Sequence, residues 1–388
     1  MKDAMRALKK RPVLVLFFGF LFGFMVLDGL WPKREFSELE NKKLAQFPEF
    51  SFSSLFRNEW TAKYGDYVKE QFALRDTWID LQSRSETLLF QKAEVGGQLL
   101  GADDMLFTKV FALKTGEVKQ LPRNISAVAQ FSARHPGQVT FLLAPSASLV
   151  YPEKLPFHAP MLNENAFLDD IFAEIGQSAR VLDLRGLFSA HKDEYLYYRT
   201  DHHWTSGGAW LAYTEFCRQE GLAPFDPAAY TAVEVPNFYG TSYSSARTWN
   251  AVPDIITWYE LPSRQTIWDV TAGPEALAVL SEDDLYNQDA FATRDKYAAF
   301  LHGNPGYSTV TGSGEGSILV IKDSYANCFV PYLTANYAKI GVLDLRNYSY
   351  SVDALMQAEG YDKVLILYNF QSFKSDGYLY NLNRDPIE

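Results

Sequence analysis

The sequence predicts an α/β protein: a parallel β-sheet covered by helices on both faces, behind an N-terminal transmembrane helix. Three observations predict it. Short apolar runs rich in strand formers recur without polar alternation, as in strands buried on both faces. Helical patterns separate the last three runs, the alternation that builds parallel sheets. The chain also opens on basic residues followed by an uncharged apolar run. At 388 residues the chain has room for two or three domains, and at 47% apolar and 21% charged it is not a disordered chain. A net charge of −11 argues against a nucleic-acid partner. Cys217 and Cys328 alone make neither a disulfide framework nor a zinc knuckle, so the core must hold by packing.

At the N-terminus, Lys2, Arg6, Lys9, Lys10 and Arg11 stand against a single Asp3, and residues 13–27 carry no charge. Residues 13–31 span about 28 Å as a helix, enough to cross the hydrocarbon core. A cleaved signal peptide, with an apolar region of about 7–15 residues, is the alternative, and a buried soluble helix is a third. The exit, Asp-Gly-Leu-Trp-Pro-Lys-Arg, lacks the small-x-small pattern of a cleavage site, and Trp31 suits a membrane interface. The expectation is therefore an uncleaved anchor with a cytoplasmic tail, over residues 1–31. Either export route puts the rest of the chain outside the membrane, away from ATP, coenzyme A and NAD; no cofactor is expected.

Residues 32–95 read as a membrane-proximal segment. Extended, turn-punctuated chain gives way from Ser54 to about Gln91 to helical spacing, in Trp60, Tyr64, Tyr67, Val68 and Phe72, then Trp78, Ile79, Leu81 and Leu88. Residues 96–388 read as one strand–loop–helix domain. Its candidate strands are 138–143, 180–184, Ser317–Lys322, 339–345 and 363–368, with helices at 326–338 and 352–360. Residues 226–315 have no clean period and read as an insertion, or long loops, over one end of the sheet. Their aromatics, Tyr230, Tyr239, Tyr243, Trp249, Trp258 and Tyr259, suit either sugar stacking or packing.

Ligands of open α/β sheets bind beyond the carboxyl ends of the strands. After Ser317–Lys322 comes Asp323-Ser324-Tyr325, where a strand hands over to a helix. A serine there is a candidate nucleophile with N–H donors nearby; alternatively Asp323 or Ser324 is simply the N-cap. Asn369, after 363–368, is placed to donate to the same oxyanion or to make a turn. Arg346 is a candidate for an anionic substrate or the oxyanion, or half of a surface ion pair. The sharpest signal is Asp201-His202-His203-Trp204. On extended chain Asp201 and His203 project to one side, as an acid orienting a base would, and His202 points away. Metal ligation by Asp201, His202 and His203, and capping of a helix starting near Ser206, are the competing readings.

Asp201-His202-His203-Trp204 with downstream Ile321-Lys322-Asp323-Ser324-Tyr325 resembles the DHHW family of bacterial proteins, similar to the alginate O-acetylation proteins with a circularly permuted SGNH-hydrolase domain. Glu40-Asn41-Lys42-Lys43-Leu44, residues 64–78, Ala144-Pro145-Ser146 and residues 151–156 carry the resemblance further. It implies an SGNH-like sheet with Ser324 as nucleophile, His203 as base and Asp201 as acid, and His202 in a variable place. Asn369 corresponds by topology to the family's asparagine, and Arg346 and Tyr325 join it as oxyanion or substrate contacts. Two departures stand out: Lys322 replaces the usual glycine, and one residue rather than two separates Asp from His. The resemblance further implies an exported O-acetyltransferase acting on a cell-surface polysaccharide through an acetyl-serine, supplied by a membrane-bound O-acyltransferase. An acetylesterase with the same triad, or a non-catalytic polysaccharide-binding scaffold, are the alternatives; the complete triad speaks against the scaffold. Cys328 is expected to be a buried packing residue.

Overall fold

The computed structural model describes residues 11–40 and 42–385; Lys2, Asp3, Arg6, Lys9, Lys10 and Asn41 lie outside them. The chain divides into two compact units, residues 1–92 with 247–249, and residues 93–246 with 250–388. In the first unit, α1 (Pro12–Leu30) has a mean hydropathy of 2.4 and no buried residue. Among the described residues it is the helix long and apolar enough to cross a membrane. The Ala73 N–H donates to Asp28 Oδ1 at 2.7 Å, tying the end of α1 to the chain between α2 (Glu59–Gln71) and α3 (Arg75–Arg84).

The second unit is built on an eight-stranded sheet. In chain order its strands are β1 (Val139–Ala144), β2 (Arg180–Leu182), β3 (Arg264–Asp269), β4 (Ala278–Asp284), β5 (Tyr307–Thr311), β6 (Ser317–Lys322), β7 (Lys339–Leu343) and β8 (Lys363–Asn369). Their spatial order is β4-β3-β5-β7-β6-β8-β1-β2. Strands β7, β6, β8, β1 and β2 run parallel, as expected from their continuous apolar runs. Alternate residues feed two cores. Ile318 and Val320 pack on one side with Leu211 and Ala212 of α6 (Ser206–Glu220). Leu319 and Ile321 pack on the other with Leu121 and Val128 of α4 (Thr115–Arg134), Ile171 of α5 (Glu164–Ile175) and Leu355 of α7 (Val352–Glu359).

Two expectations are corrected. The sheet is mixed, because residues 226–315 contribute β3, β4 and β5, which extend it by antiparallel pairing onto β7. β3 and the exposed edge strand β4 are polar (RQTIWD, AVLSEDD), so they lack the continuous apolar signature of the central ones. The helix expected over 326–338 is instead a 3-10 turn (Ser324–Cys328) and a short helix (Val330–Leu333). Pro331 lacks the N–H that a helix begun at Ala326 would need at that position.

Candidate active site

Ser324, the expected nucleophile, follows strand β6, which ends at Lys322. Asp323 Oδ1 accepts the Tyr325 N–H at 2.8 Å and so caps the 3-10 turn that opens on Ser324. Asp323 Oδ2 accepts both the backbone N–H (2.8 Å) and side-chain Nδ2 (2.6 Å) of Asn369, at the end of the neighbouring strand β8. Lys322 is fully buried, and its Nζ donates to Asn304 (2.8 Å) and Asn327 (2.7 Å). Burial pushes its pKa down to about 8, with Asp344 opposing.

Asp201 and His203, the expected acid and base, stand on residues 199–203, a tight loop between the bridged Tyr197 and Trp204. The buried Asp254 carboxylate holds the entry to this loop, accepting from Thr200 N–H (2.8 Å), Thr200 Oγ1 (2.5 Å), Arg199 N–H (3.0 Å) and the Tyr195 hydroxyl. Asp201 Oδ1 accepts the His203 N–H at 2.9 Å and lies 2.5 Å from His203 Nδ1. His203 Nε2 lies 2.7 Å from Ser324 Oγ. Thr241 donates to Asp201 Oδ2 through its N–H (2.7 Å) and Oγ1 (3.0 Å). Burial disfavours the Asp201 carboxylate, but His203, His202 and these hydrogen bonds outweigh it and hold its pKa well below the usual range. An unbroken line of hydrogen bonds thus joins a carboxylate, an imidazole and a serine hydroxyl.

Asp201, His202 and His203 offer ligand atoms within 4.8 Å of one another, the geometric minimum for a cation site. Both ring nitrogens of His203 already have partners, so a metal would have to displace Asp201 or Ser324 from them.

Three other expectations meet different surroundings. His202 does not point away: its ring lies 3.9 Å from that of His203, and its Nδ1 is 2.7 Å from Thr241 Oγ1. The period-two rule fails because residues 199–203 turn back, with Tyr198 N–H donating to His203 O at 3.2 Å. The Asn369 amide spends both N–H groups, on Asp323 and on Ser372 Oγ (2.8 Å), so it braces the nucleophile turn and has none left for an oxyanion. The Arg346 guanidinium is drawn onto Asp344 through Nε (2.8 Å) and Nη2, the ion-pair alternative. Tyr325 is buried, and its hydroxyl donates to the His202 carbonyl. Among the aromatics of 226–260, Tyr230 stacks on Phe225 and Trp258 on Phe291, both packing contacts. Cys328 is buried, and its thiol is pushed up to about 12.

Sequence reasoning missed four residues, all from 226–315. They are Asp254 and Thr241, Gly240, where a Cβ would come within 2.2 Å of Asp201, and Tyr297. The Tyr297 ring stacks on His203 at 4.0 Å and its hydroxyl donates to Ser324 O at 3.0 Å. A cavity of about 270 Å³ opens against this cluster, lined among others by Ser146, Ser148, Asp201, His202, Tyr325 and Gln371.

Comparison with known proteins agrees with this architecture. Residues 169–343 match the family described as DHHW protein, and residues 99–232 match the SGNH hydrolase-like domain of the acetyltransferase AlgX. A probable alginate O-acetylase AlgJ of Pseudomonas syringae pv. tomato is 21% identical over 208 residues, covering 52% of this chain. The chain spans about half of that relative's length (51%). Among solved structures, a DHHW family protein from Eubacterium siraeum is 19% identical with a TM-score of 0.61, covering 76% of this chain and 98% of its own. Bacillus cereus PatB1 with a sulfonyl adduct is 21% identical with a TM-score of 0.57, covering 73% and 98%. At such identities these two likenesses speak to the fold. Residues 169–343 therefore carry DHHW-type sequence, and residues 99–232 carry sequence like the SGNH hydrolase-like domain of the acetyltransferase AlgX.

Proposed function

We propose that the protein is an exported O-acetyltransferase that acetylates a cell-envelope polysaccharide through an acetyl-Ser324 intermediate. The observation that carries this reading is the Asp201–His203–Ser324 hydrogen-bond line, with 2.5 and 2.7 Å between its members. His203 Nε2 takes the Ser324 hydroxyl proton as Oγ bonds to the acetyl carbonyl carbon. The carbonyl π pair moves onto oxygen, where the Ser324 N–H at the start of the 3-10 turn is the donor in reach. As the tetrahedral intermediate collapses, the donor's alcohol leaves with the proton from His203. A sugar hydroxyl then repeats the sequence in reverse, giving its proton to His203 and releasing Ser324. Asp201, ionised throughout, keeps Nδ1 protonated and stabilises the imidazolium.

The helix α1 anchors this domain beside the membrane, its tail cytoplasmic and residues 32–388 outside, where a membrane-bound O-acyltransferase delivers the acetyl group. The probable AlgJ relative, an O-acetylase by name, supports the choice of transfer over hydrolysis.

The test is turnover of a chromogenic acetate ester by the full chain in detergent, with intact mass read for an acetyl adduct of about 42 Da. Ser324→Ala and His203→Ala should each lower kcat by about 10³-fold or more and abolish the adduct. A folded parent no faster than these variants would sink the reading. Acetyl transfer to an added oligosaccharide separates the transferase from an esterase using the same groups.

A further inference from the structure

His202 has no part in the acetyl-transfer chemistry above, yet it lines the cavity beside the triad with its side chain 38% exposed. Its tautomer follows from its neighbours. Thr241 has one hydroxyl proton, and it donates that proton to Asp201 Oδ2 at 3.0 Å, a charge-assisted bond to an ionised carboxylate. The contact between Thr241 Oγ1 and His202 Nδ1, at 2.7 Å, must then be donated by the imidazole. Partial desolvation and the neighbouring His203 lower the His202 pKa, with Asp201 opposing, so the ring is neutral at ordinary pH. A neutral imidazole protonated on Nδ1 carries a lone pair on Nε2. His202 therefore offers the cavity a hydrogen-bond acceptor.

Ser146 and Ser148 of the same lining add acceptors. Ser146 Oγ donates to Glu164 Oε2 at 2.5 Å, and Ser148 Oγ lies 2.9 Å from Ser146 Oγ. With the Ser146 proton on Glu164, Ser148 supplies the second bond and keeps only lone pairs for the cavity. Among the described residues lining this cavity there is no lysine or arginine, and Asp201 contributes a carboxylate. Gln371 and Thr108 add an amide and a hydroxyl that can donate or accept, so the lining offers neutral hydrogen-bonding groups and no cation. A sugar hydroxyl brings an O–H; a uronate carboxylate brings acceptors and a negative charge, facing Asp201 with no cation to offset it.

We propose that this cavity is the acceptor subsite, that His202 seats an acceptor hydroxyl there, and that the acceptor is a neutral, hydroxyl-rich glycan rather than a polyuronate. The inference rests on the acetyltransferase reading for what the bound glycan is used for, but binding itself can be measured without turnover. The chain's net charge of −11 works in the same direction over longer range.

The experiment is equilibrium binding to the full chain in detergent at pH 8, by saturation-transfer NMR, with cellotetraose as the neutral probe and tetramannuronate as the anionic one. Cellotetraose is expected to bind at least about tenfold more tightly than tetramannuronate. His202→Ala should weaken cellotetraose by about five- to tenfold, and His202→Gln, whose amide oxygen can stand where Nε2 stands, should recover most of it. Equal or tighter binding of tetramannuronate overturns the proposal, as does binding of neither probe or an undiminished His202→Ala. The comparison of the two probes on the parent protein needs no variant to fold. Absence of an acetyl adduct on Ser324, with cellotetraose still bound at His202, would instead remove the acetyltransferase reading and leave the subsite standing.

Discussion

Gly240→Ala tests the placement of Asp201 without substituting Asp201, His203 or Ser324. A Cβ at 240 would stand 2.2 Å from Asp201 Cβ, 2.2 Å from Oδ2 and 2.5 Å from Cγ. Relief to a tolerable contact just above 3 Å needs a displacement of about 1 Å. Neither side gives easily. Asp201 is held by Thr241 N–H at 2.7 Å and by His203 at 2.9 and 2.5 Å, and Gly240 N–H is itself bonded to Thr200 Oγ1 at 3.1 Å. The carboxylate or the Thr241 donor must therefore leave its place, and His203 loses its orientation. A misplacement of about 1 Å costs on the order of 10²-fold in rate. The assay is kcat on the chromogenic acetate ester, with Tm recorded alongside. Gly207→Ala is the control, since its Cβ would meet nothing nearer than 3.5 Å. A Gly240→Ala protein turning over within twofold of the parent, at unchanged Tm, would refute the idea that Asp201 needs this fixed position.

Glu164 is 6% exposed, and burial raises its pKa from 4.5 to about 7 against the opposing bonds from Ser146. Between those two pH values the folded chain keeps a proton that the unfolded chain has lost, so stability falls as pH rises through the window, by about 3 kcal/mol in all. Glu164→Gln keeps an acceptor for the Ser146 N–H and should flatten that slope; urea midpoints at pH 5 and pH 8 that shift equally in variant and parent would contradict this. Asp254→Ala strips the acceptor from four donors at the entry to the acid–base loop. It should cost about 3–5 kcal/mol in urea unfolding, whereas a loss below about 1 kcal/mol would mean the loop is held elsewhere. Tyr297→Phe removes the hydroxyl's contacts with Ser324 O and Cys328 Sγ and keeps the ring on His203, so kcat should fall less than tenfold and Tyr297→Ala should fall further; equal rates for the two variants would dismiss the stacking contribution.

The central parallel strands were legible because each is buried on both faces and written as a continuous apolar run, as in SILVIK and KVLILY. By position alone Ser324 stood against simple N-capping, and it was the resemblance that grouped it with Asp201 and His203; the structure brings these three side chains together. What escaped were contacts with no residue-type signature. Thr241 acts through a backbone N–H, Gly240 through the absence of a side chain, and Asp254 as one buried carboxylate in a stretch without a period. Asn369 and Arg346 were placed by which strand they follow, but local partners decide where their donors go: Asp323 and Ser372 take the amide, Asp344 the guanidinium. His202 was misjudged because alternation assumes extended chain, and the hydrogen bond from Tyr198 N–H to His203 O closes that chain into a loop.

The acid–base loop does not sit at the end of a sheet strand, as Ser324 does, so the sheet alone does not align His203 with the nucleophile. Three braces span the gap instead. Trp204 Nε1 donates to Tyr325 O at 2.9 Å, the Tyr325 hydroxyl donates back to His202 O, and Tyr297 bonds Ser324 O while stacking on His203. None of the three uses the Ser324 hydroxyl or a nitrogen of the His203 ring. Alignment is therefore fixed before the triad's own hydrogen bonds are counted, which is what preorganisation requires. Two consequences follow from that independence. Removing the Ser324 hydroxyl leaves every brace intact, so Ser324→Ala reports on chemistry rather than on folding. And because Tyr297, Thr241 and Asp254 all come from 226–315, that segment braces the Asp201–His203–Ser324 cluster: shortening it is expected to displace His203 even with all three residues present.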